Sequence, residues 1–251
     1  MTTQSPSRRI LVPIADTELH HLNSAIVGQQ YEIKVRLPER YDEGEESYPV
    51  LYLLDGDHIF AMATDIVQYL IYGNHIPDLI IISPAYGDKN TPEYGGSNMR
   101  NRDLSPFLIP DLDTPPGAAK YLQFFEQELM PFATSQFRID SSDKTLAGWS
   151  LGAIFVLYAL FEKPALFQRR IAFDIIAPQL LEMETAFAAD NDTLPGKLFL
   201  ASGDYDMTPL AEKMVSRNYT GLTIDHQQLS RDGHFSLGGE GLSKGLVSVF
   251  R

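Results

Sequence analysis

Tyr31, Ile33, Val35 and Leu37 alternate with Glu32, Lys34 and Arg36, and Pro38 closes the run. A period of two marks a strand with one wet face, so this segment predicts an outer antiparallel strand. Residues 21–27 supply its partner across a turn at Gly28-Gln29-Gln30, and the chain opens with a hairpin. Residues 50–54 and 79–82 are unbroken apolar runs instead, which suits strands covered on both faces. Helical spacing fills 59–72 between them, and the alternation continues with helix 118–137, strand 144–147, helix 151–161, strand 170–173 and helix 179–188. Strand 197–201, helix 209–217, strand 222–229 and helix 241–250 complete it. Antiparallel strands followed by strands alternating with helices predict an α/β fold: a mostly parallel central sheet, an N-terminal antiparallel hairpin and helices on both faces.

One stretch breaks the rhythm. Residues 86–117 are rich in Gly, Asn, Asp and Pro, longer than a compact domain keeps without purpose, and are expected to form an irregular loop over the active site. Residues 1–18 are expected to be a flexible N-terminal segment, and 1–251 reads as one domain. The apolar fraction of 44% supports a sizeable core. With 20 basic against 33 acidic residues the net charge is 20 − 33 = −13, and no Lys/Arg-rich run occurs, which argues against nucleic acid or an anionic membrane surface as partner. No apolar run approaches the ~18 residues of a membrane span. Arg8 and Arg9 precede an apolar segment that contains Pro13 and stops at Asp16, too short for an export signal. The chain has no cysteine, which removes disulfides, thiolate metal sites and a cysteine nucleophile. A cytoplasmic protein is the expectation.

Gly148-Trp149-Ser150-Leu151-Gly152 matches G-x-S-x-G. The bare pattern arises by chance in roughly one chain in ten of this length, so context decides. The apolar strand Thr145-Leu146-Ala147 precedes it and the apolar run from Leu151 to Leu160 follows it, the strand–turn–helix that the motif needs to expose a serine nucleophile. The sharp turn leaves room only for small residues two positions either side of Ser150, a demand that Gly148 and Gly152 meet. It also puts Ser150 at a helix N-terminus, where the Leu151 N–H is one donor to an oxyanion.

A serine needs a base, and the base needs a carboxylate to orient it. The chain order for this motif is Ser, acid, His. His226 falls inside a predicted strand, whereas His234 lies just beyond it on the loop Arg231-Asp232-Gly233-His234-Phe235, free to reach Ser150. The acid is expected in Ser202-Gly203-Asp204-Tyr205-Asp206, where two aspartates compete and spacing does not choose between them.

Together these residues resemble the esterase family of α/β hydrolases that includes esterase D and the ferric enterobactin esterases. The resemblance runs through 22–24, 31–38, Tyr48 to Asp57, Arg100-Asn101-Arg102-Asp103-Leu104-Ser105-Pro106, the elbow, Gly203-Asp204-Tyr205-Asp206 and His234-Phe235-Ser236-Leu237. It implies an α/β-hydrolase fold. It maps the acid onto Asp206, with Asp204 in reserve, and the second oxyanion donor onto the backbone N–H of Asp57. Arg100 and Arg102 match an Arg-rich loop of the family and, with Trp149, are candidate substrate contacts; the competing reading of the arginines is an internal ion pair with Asp103. This chain departs from its relatives at Phe173-Asp174-Ile175-Ile176-Ala177-Pro178, where they carry Ser-Pro followed by aromatics. The expected function is a serine carboxylesterase acting on a small-molecule ester, short-chain or siderophore-type, through an acyl-enzyme with triad Ser150, His234 and Asp206. Acyl transfer, thioester hydrolysis and a binding protein that has lost catalysis are the alternatives. No metal or organic cofactor is implied, and the oligomeric state is not legible.

Overall fold

The computed structural model describes residues 12–87, 96–108, 114–175 and 178–251. Its eight strands are β1 (Thr17–Ser24), β2 (Gln29–Arg36), β3 (Tyr48–Leu53), β4 (Ile80–Ala85), β5 (Ile139–Trp149), β6 (Arg169–Phe173), β7 (Thr193–Ser202) and β8 (Thr220–Gln228). They form one sheet in the order β1-β2-β4-β3-β5-β6-β7-β8. β1 and β2 pair antiparallel, as do β2 and β4, and every later neighbour pairs in parallel. The mostly parallel sheet with a leading hairpin is therefore present as expected. β1 begins at Thr17, so the end of the segment expected to be a flexible lead is already paired in the sheet, opposite Arg36.

Successive side chains of the inner strands go to opposite faces, and each face has its own core. Val50, Tyr52, Leu54, Ile80 and Ile82 face one cluster, filled by α3 (Ala118–Phe124), α5 (Leu151–Glu162), α6 (Pro178–Asp190) and α7 (Thr208–Arg217). Leu51, Leu53 and Ile81 face the other, filled by α1 (Gly56–Tyr72) and α8 (Leu237–Phe250). This two-sided burial explains why β3 and β4 read as continuous apolar runs rather than as alternating ones.

Helix 118–137 is interrupted. α3 passes through a π turn at Phe125–Leu129 into α4 (Met130–Gln136), which carries Pro131 in its first turn. Proline has no N–H to offer the preceding turn, and the wider turn sits where that donor is missing. The turn also places Glu128 to accept hydrogen bonds from the N–H groups of Ala25 and Ile26 in the hairpin turn.

The stretch 86–117, expected to be irregular, contains the helix α2 (Gly96–Leu104). Its sequence, GSNMRNRDL, has almost no apolar residues to make a periodic stripe, which is why hydrophobic patterning missed it.

Candidate active site

Three strands of the parallel sheet end in backbone conformations that L-residues seldom adopt: Asp55 after β3 (φ 61°), Ser150 after β5 (φ 57°) and Asp174 after β6 (φ 59°). Such residues cost on the order of 1–3 kcal/mol each and gather where function requires them. All three lie at the carboxyl ends of their strands, the side of an open α/β sheet where ligands bind.

Ser150, at φ 57° and ψ −127°, separates the last residue of β5 from the first of α5. The turn is tight enough that a Cβ on Gly148 would fall 2.5 Å from the backbone of Gly152, so glycine at 148 is a steric requirement. The Ser150 N–H donates to the Phe173 carbonyl at 3.1 Å, which ties the elbow to the end of β6.

His234 follows β8 on a loop closed by a 3₁₀ turn, His234–Ser236. Its ring packs against Trp149 with centroids 4.7 Å apart and meets the Tyr205 ring edge-on at 5.2 Å. Its Nδ1 lies 2.6 Å from Oδ2 of Asp174, whose side chain is fully buried. The other carboxylate oxygen of Asp174 accepts the Tyr205 N–H at 2.8 Å. A Cβ on Gly203 would fall 2.7 Å from that same oxygen, so the glycine makes the space that the carboxylate occupies. With Nδ1 engaged by Asp174, Nε2 is the other ring nitrogen of His234, and the ring lines the same cleft as Ser150.

The contact to His234 is thus made by Asp174 and not, as the resemblance implied, by Asp206. Asp206 is exposed and turns the other way: its Oδ1 accepts the Thr208 N–H at 2.9 Å at the start of α7 and lies 3.4 Å from Ser202 Oγ. Hydrogen bonds from the Thr208 side chain and backbone hold its carboxyl below the usual carboxylate range. It borders a separate apolar hollow lined by Ile175, Pro178, Leu180, Leu181, Met207, Pro209 and Leu210. Asp204 is exposed on the same loop. Asp174 stood in the sequence at the point of departure from the family's pattern. The signal that would have found it is a lone carboxylate closing a core strand, next door to the elbow strand.

A cleft of about 370 Å³ brings together Ser150, His234, Trp149, Asp55, His58, Arg100 and Phe235. Trp149 and Arg100, the candidate substrate contacts, therefore both line this cleft. Arg102 does not: it donates to Asp103 at 2.7 Å and to Gln29 at 2.5 Å. Asp103 also accepts hydrogen bonds from the hydroxyls of Tyr31 and Tyr86, at 2.6 and 3.1 Å, so the internal ion pair is the reading that holds. Burial raises the Asp103 carboxyl, and the Arg102 guanidinium acts against it. Arg100 reaches Asp55 with two parallel hydrogen bonds, Nε to Oδ1 at 2.5 Å and Nη2 to Oδ2 at 2.9 Å. Burial by itself would lower the Arg100 pKa, but the Asp55 carboxylate outweighs it and raises the value, keeping the guanidinium charged.

Asp57 sits in the first turn of α1, whose leading N–H groups have no intrahelical acceptor. Its carboxylate is occupied outside the cleft, where it accepts the N–H groups of Tyr86 and Gly87 at 2.8 and 3.0 Å, with Lys34 Nζ 3.7 Å away.

The family model described as Putative esterase matches residues 24–232. The chain belongs to that family of ester hydrolases. Among the members it resembles is the ferri-bacillibactin esterase BesA of Bacillus subtilis (strain 168), 26% identical over 254 residues, with 89% of this chain and 86% of that protein covered. The siderophore triacetylfusarinine C esterase of Aspergillus fumigatus is 28% identical over 169 residues, 64% of this chain and 56% of that protein. The α/β-hydrolase fold is shared with solved structures. An IroE-like serine hydrolase from Shewanella oneidensis superposes with a TM-score of 0.81 at 25% identity, covering 93% of this chain and 80% of its own. A BES protein from Bacillus cereus superposes with a TM-score of 0.83 at 23% identity, covering 99% and 100%. Among the described residues no helix is long and apolar enough to cross a membrane.

Proposed function

We propose that this esterase works through an acyl-enzyme on Ser150, with His234 as base and Asp174 as the acid that orients it. The observation that carries the reading is the 2.6 Å contact between His234 Nδ1 and the buried Asp174 carboxylate, His234 lining the same cleft as the strained Ser150. Asp174 fixes the imidazole tautomer with the proton on Nδ1, so Nε2 is free to take the Ser150 hydroxyl proton as Oγ attacks the ester carbonyl. The carbonyl oxygen becomes an oxyanion received by the backbone N–H groups of Leu151 and Asp57, at the N-termini of α5 and α1. Collapse of the tetrahedral adduct breaks the C–O bond to the alcohol, which leaves with the proton from Nε2. Water repeats the cycle on the acyl-Ser150, returning the acid and the free serine.

The substrate is a small-molecule ester. The two curated relatives are named for siderophore esters, and a siderophore-type or short-chain acyl ester is the corresponding substrate here. A p-nitrophenyl ester series of increasing acyl length, assayed beside a trilactone siderophore, measures that preference. Ser150→Ala is expected to lose up to about six orders of magnitude in turnover, because nucleophile, base and acid act as a unit. Turnover close to wild type in the folded variant overturns the mechanism.

A further inference from the structure

Arg100 was singled out as a substrate contact, yet the fork of its guanidinium is spent on another residue of the protein. Asp55 holds both arms, and its own position is unusual. It ends β3 in the left-handed region at φ 61° and ψ 41°, and its carbonyl accepts the N–H groups of His58 and Ile59 at the opening of α1. Its carboxylate makes no cap to that helix. The side chain is 4% exposed and is directed between α2 and α5: a Cβ built on Gly152 would lie 3.3 Å from Oδ2, the oxygen that Arg100 Nη2 also binds. Asp55 therefore lies with its carboxylate beside the start of α5, carries in its own backbone the start of α1, and is gripped from α2. Those two helix starts hold the Leu151 and Asp57 N–H groups. From the far side, the Asp57 carboxylate is anchored by Tyr86 and Gly87, so the first turn of α1 is fixed from both ends.

We infer that Arg100 and Asp55 form a clamp that sets the separation of the two oxyanion donors, so that Arg100 is a positioning residue acting through Asp55. The inference rests on the proposed mechanism. An oxyanion hole works because its donors stand in place before charge develops, and an error of about 1 Å costs on the order of a hundredfold. A lysine at 100 keeps the charge and loses the planar fork. A side chain that instead gripped an anionic substrate would act on binding, and only for anionic esters.

The test compares Arg100→Gln, Arg100→Lys and Asp55→Asn with wild type and Ser150→Ala on neutral p-nitrophenyl acetate, with folding followed by circular dichroism. Both Arg100 variants are expected to lose tenfold to a hundredfold in kcat with KM within twofold, and the pH profile keeps its shape because His234 and Asp174 are untouched. Labelling of Ser150 by a fluorophosphonate, whose phosphoryl oxygen enters the same hole, slows in parallel. Asp55→Asn keeps one acceptor and tolerates the left-handed backbone, so it shows a smaller loss of the same kind, and it carries the test if Arg100→Gln does not fold. A kcat within twofold of wild type in the folded variants overturns the clamp, as does a rise in KM confined to carboxylate-bearing esters. An inactive Ser150→Ala beside fully active Arg100 variants condemns the clamp alone, whereas an active Ser150→Ala condemns the mechanism beneath it.

Discussion

At the residue scale, the assignment that matters is which carboxylate serves His234. Asp174→Asn is expected to leave the fold in place and lower turnover by up to about four orders of magnitude, because the amide favours the wrong imidazole tautomer. Asp206→Asn keeps an oxygen for the Thr208 N–H and is expected to stay within a few-fold of wild type. Both are read as kcat on one ester at one pH, and the reverse pattern would return the acid to Asp206. Ser150 and His234 stand out as candidates in the sequence because each is marked locally, one by flanking glycines and the other by a glycine-bearing loop after the last strand. Asp174 was not, because nothing local distinguishes it. Its contact with His234 comes from a fold in which residues 60 apart in sequence meet at 2.6 Å. Arg102 was half legible: the ion pair with its neighbour Asp103 is an alternative the sequence offers, whereas the second bond, to the distant Gln29, is not.

At the scale of elements, strands and long helices followed from periodicity because each buries a regular face. α2 has no such face, and was lost inside a stretch that reads as loop by composition. α6 and α7 carry a feature that periodicity also passes over: Glu184, on α6 and fully buried, accepts hydrogen bonds from Tyr219 at 2.7 Å and Arg217 at 3.0 Å, with Lys213 Nζ 3.1 Å away. Burial acts to raise its carboxyl, but the bonds from Tyr219, Arg217 and Lys213 win and hold it below the usual value. A depressed carboxylate contributes stability above its unfolded-state pKa, about 4.3 for glutamate, and loses it as pH falls through the lower folded value. Glu184→Gln is therefore expected to destabilise at pH 7. The gap between wild type and variant in urea midpoint should shrink steadily below about pH 4. A gap that is constant from pH 7 to 3 would show that charge at Glu184 contributes nothing to the packing of α6 on α7.

At the scale of the whole molecule, a net charge of −13 surrounds a cleft where Arg100, the one arginine among the described lining residues, is already paired with Asp55. Long-range repulsion should slow the approach of anionic esters and spare neutral ones, and salt should relieve it, since the screening length falls to about 10 Å at 0.1 M. Raising ionic strength from about 0.02 to 0.3 M is expected to increase kcat/KM several-fold for a carboxylate-bearing ester and to leave p-nitrophenyl acetate unchanged. Equal salt responses would show that local charges at the cleft outweigh the global field. The sheet also acts as a ruler. The Ser150 N–H binds the carbonyl of Phe173, and the Asp174 N–H binds that of Ala201, so the two residues proposed as nucleophile and acid hang from neighbouring rungs. Adjacent strands of a sheet lie about 4.8 Å apart, so a carboxylate after β7 would stand one strand further from the elbow than Asp174 does. The arm bearing His234 spans the width of β7 and comes to rest against Tyr205, which makes the length of the β8 arm the dimension that insertions or deletions cannot change without parting His234 from Asp174.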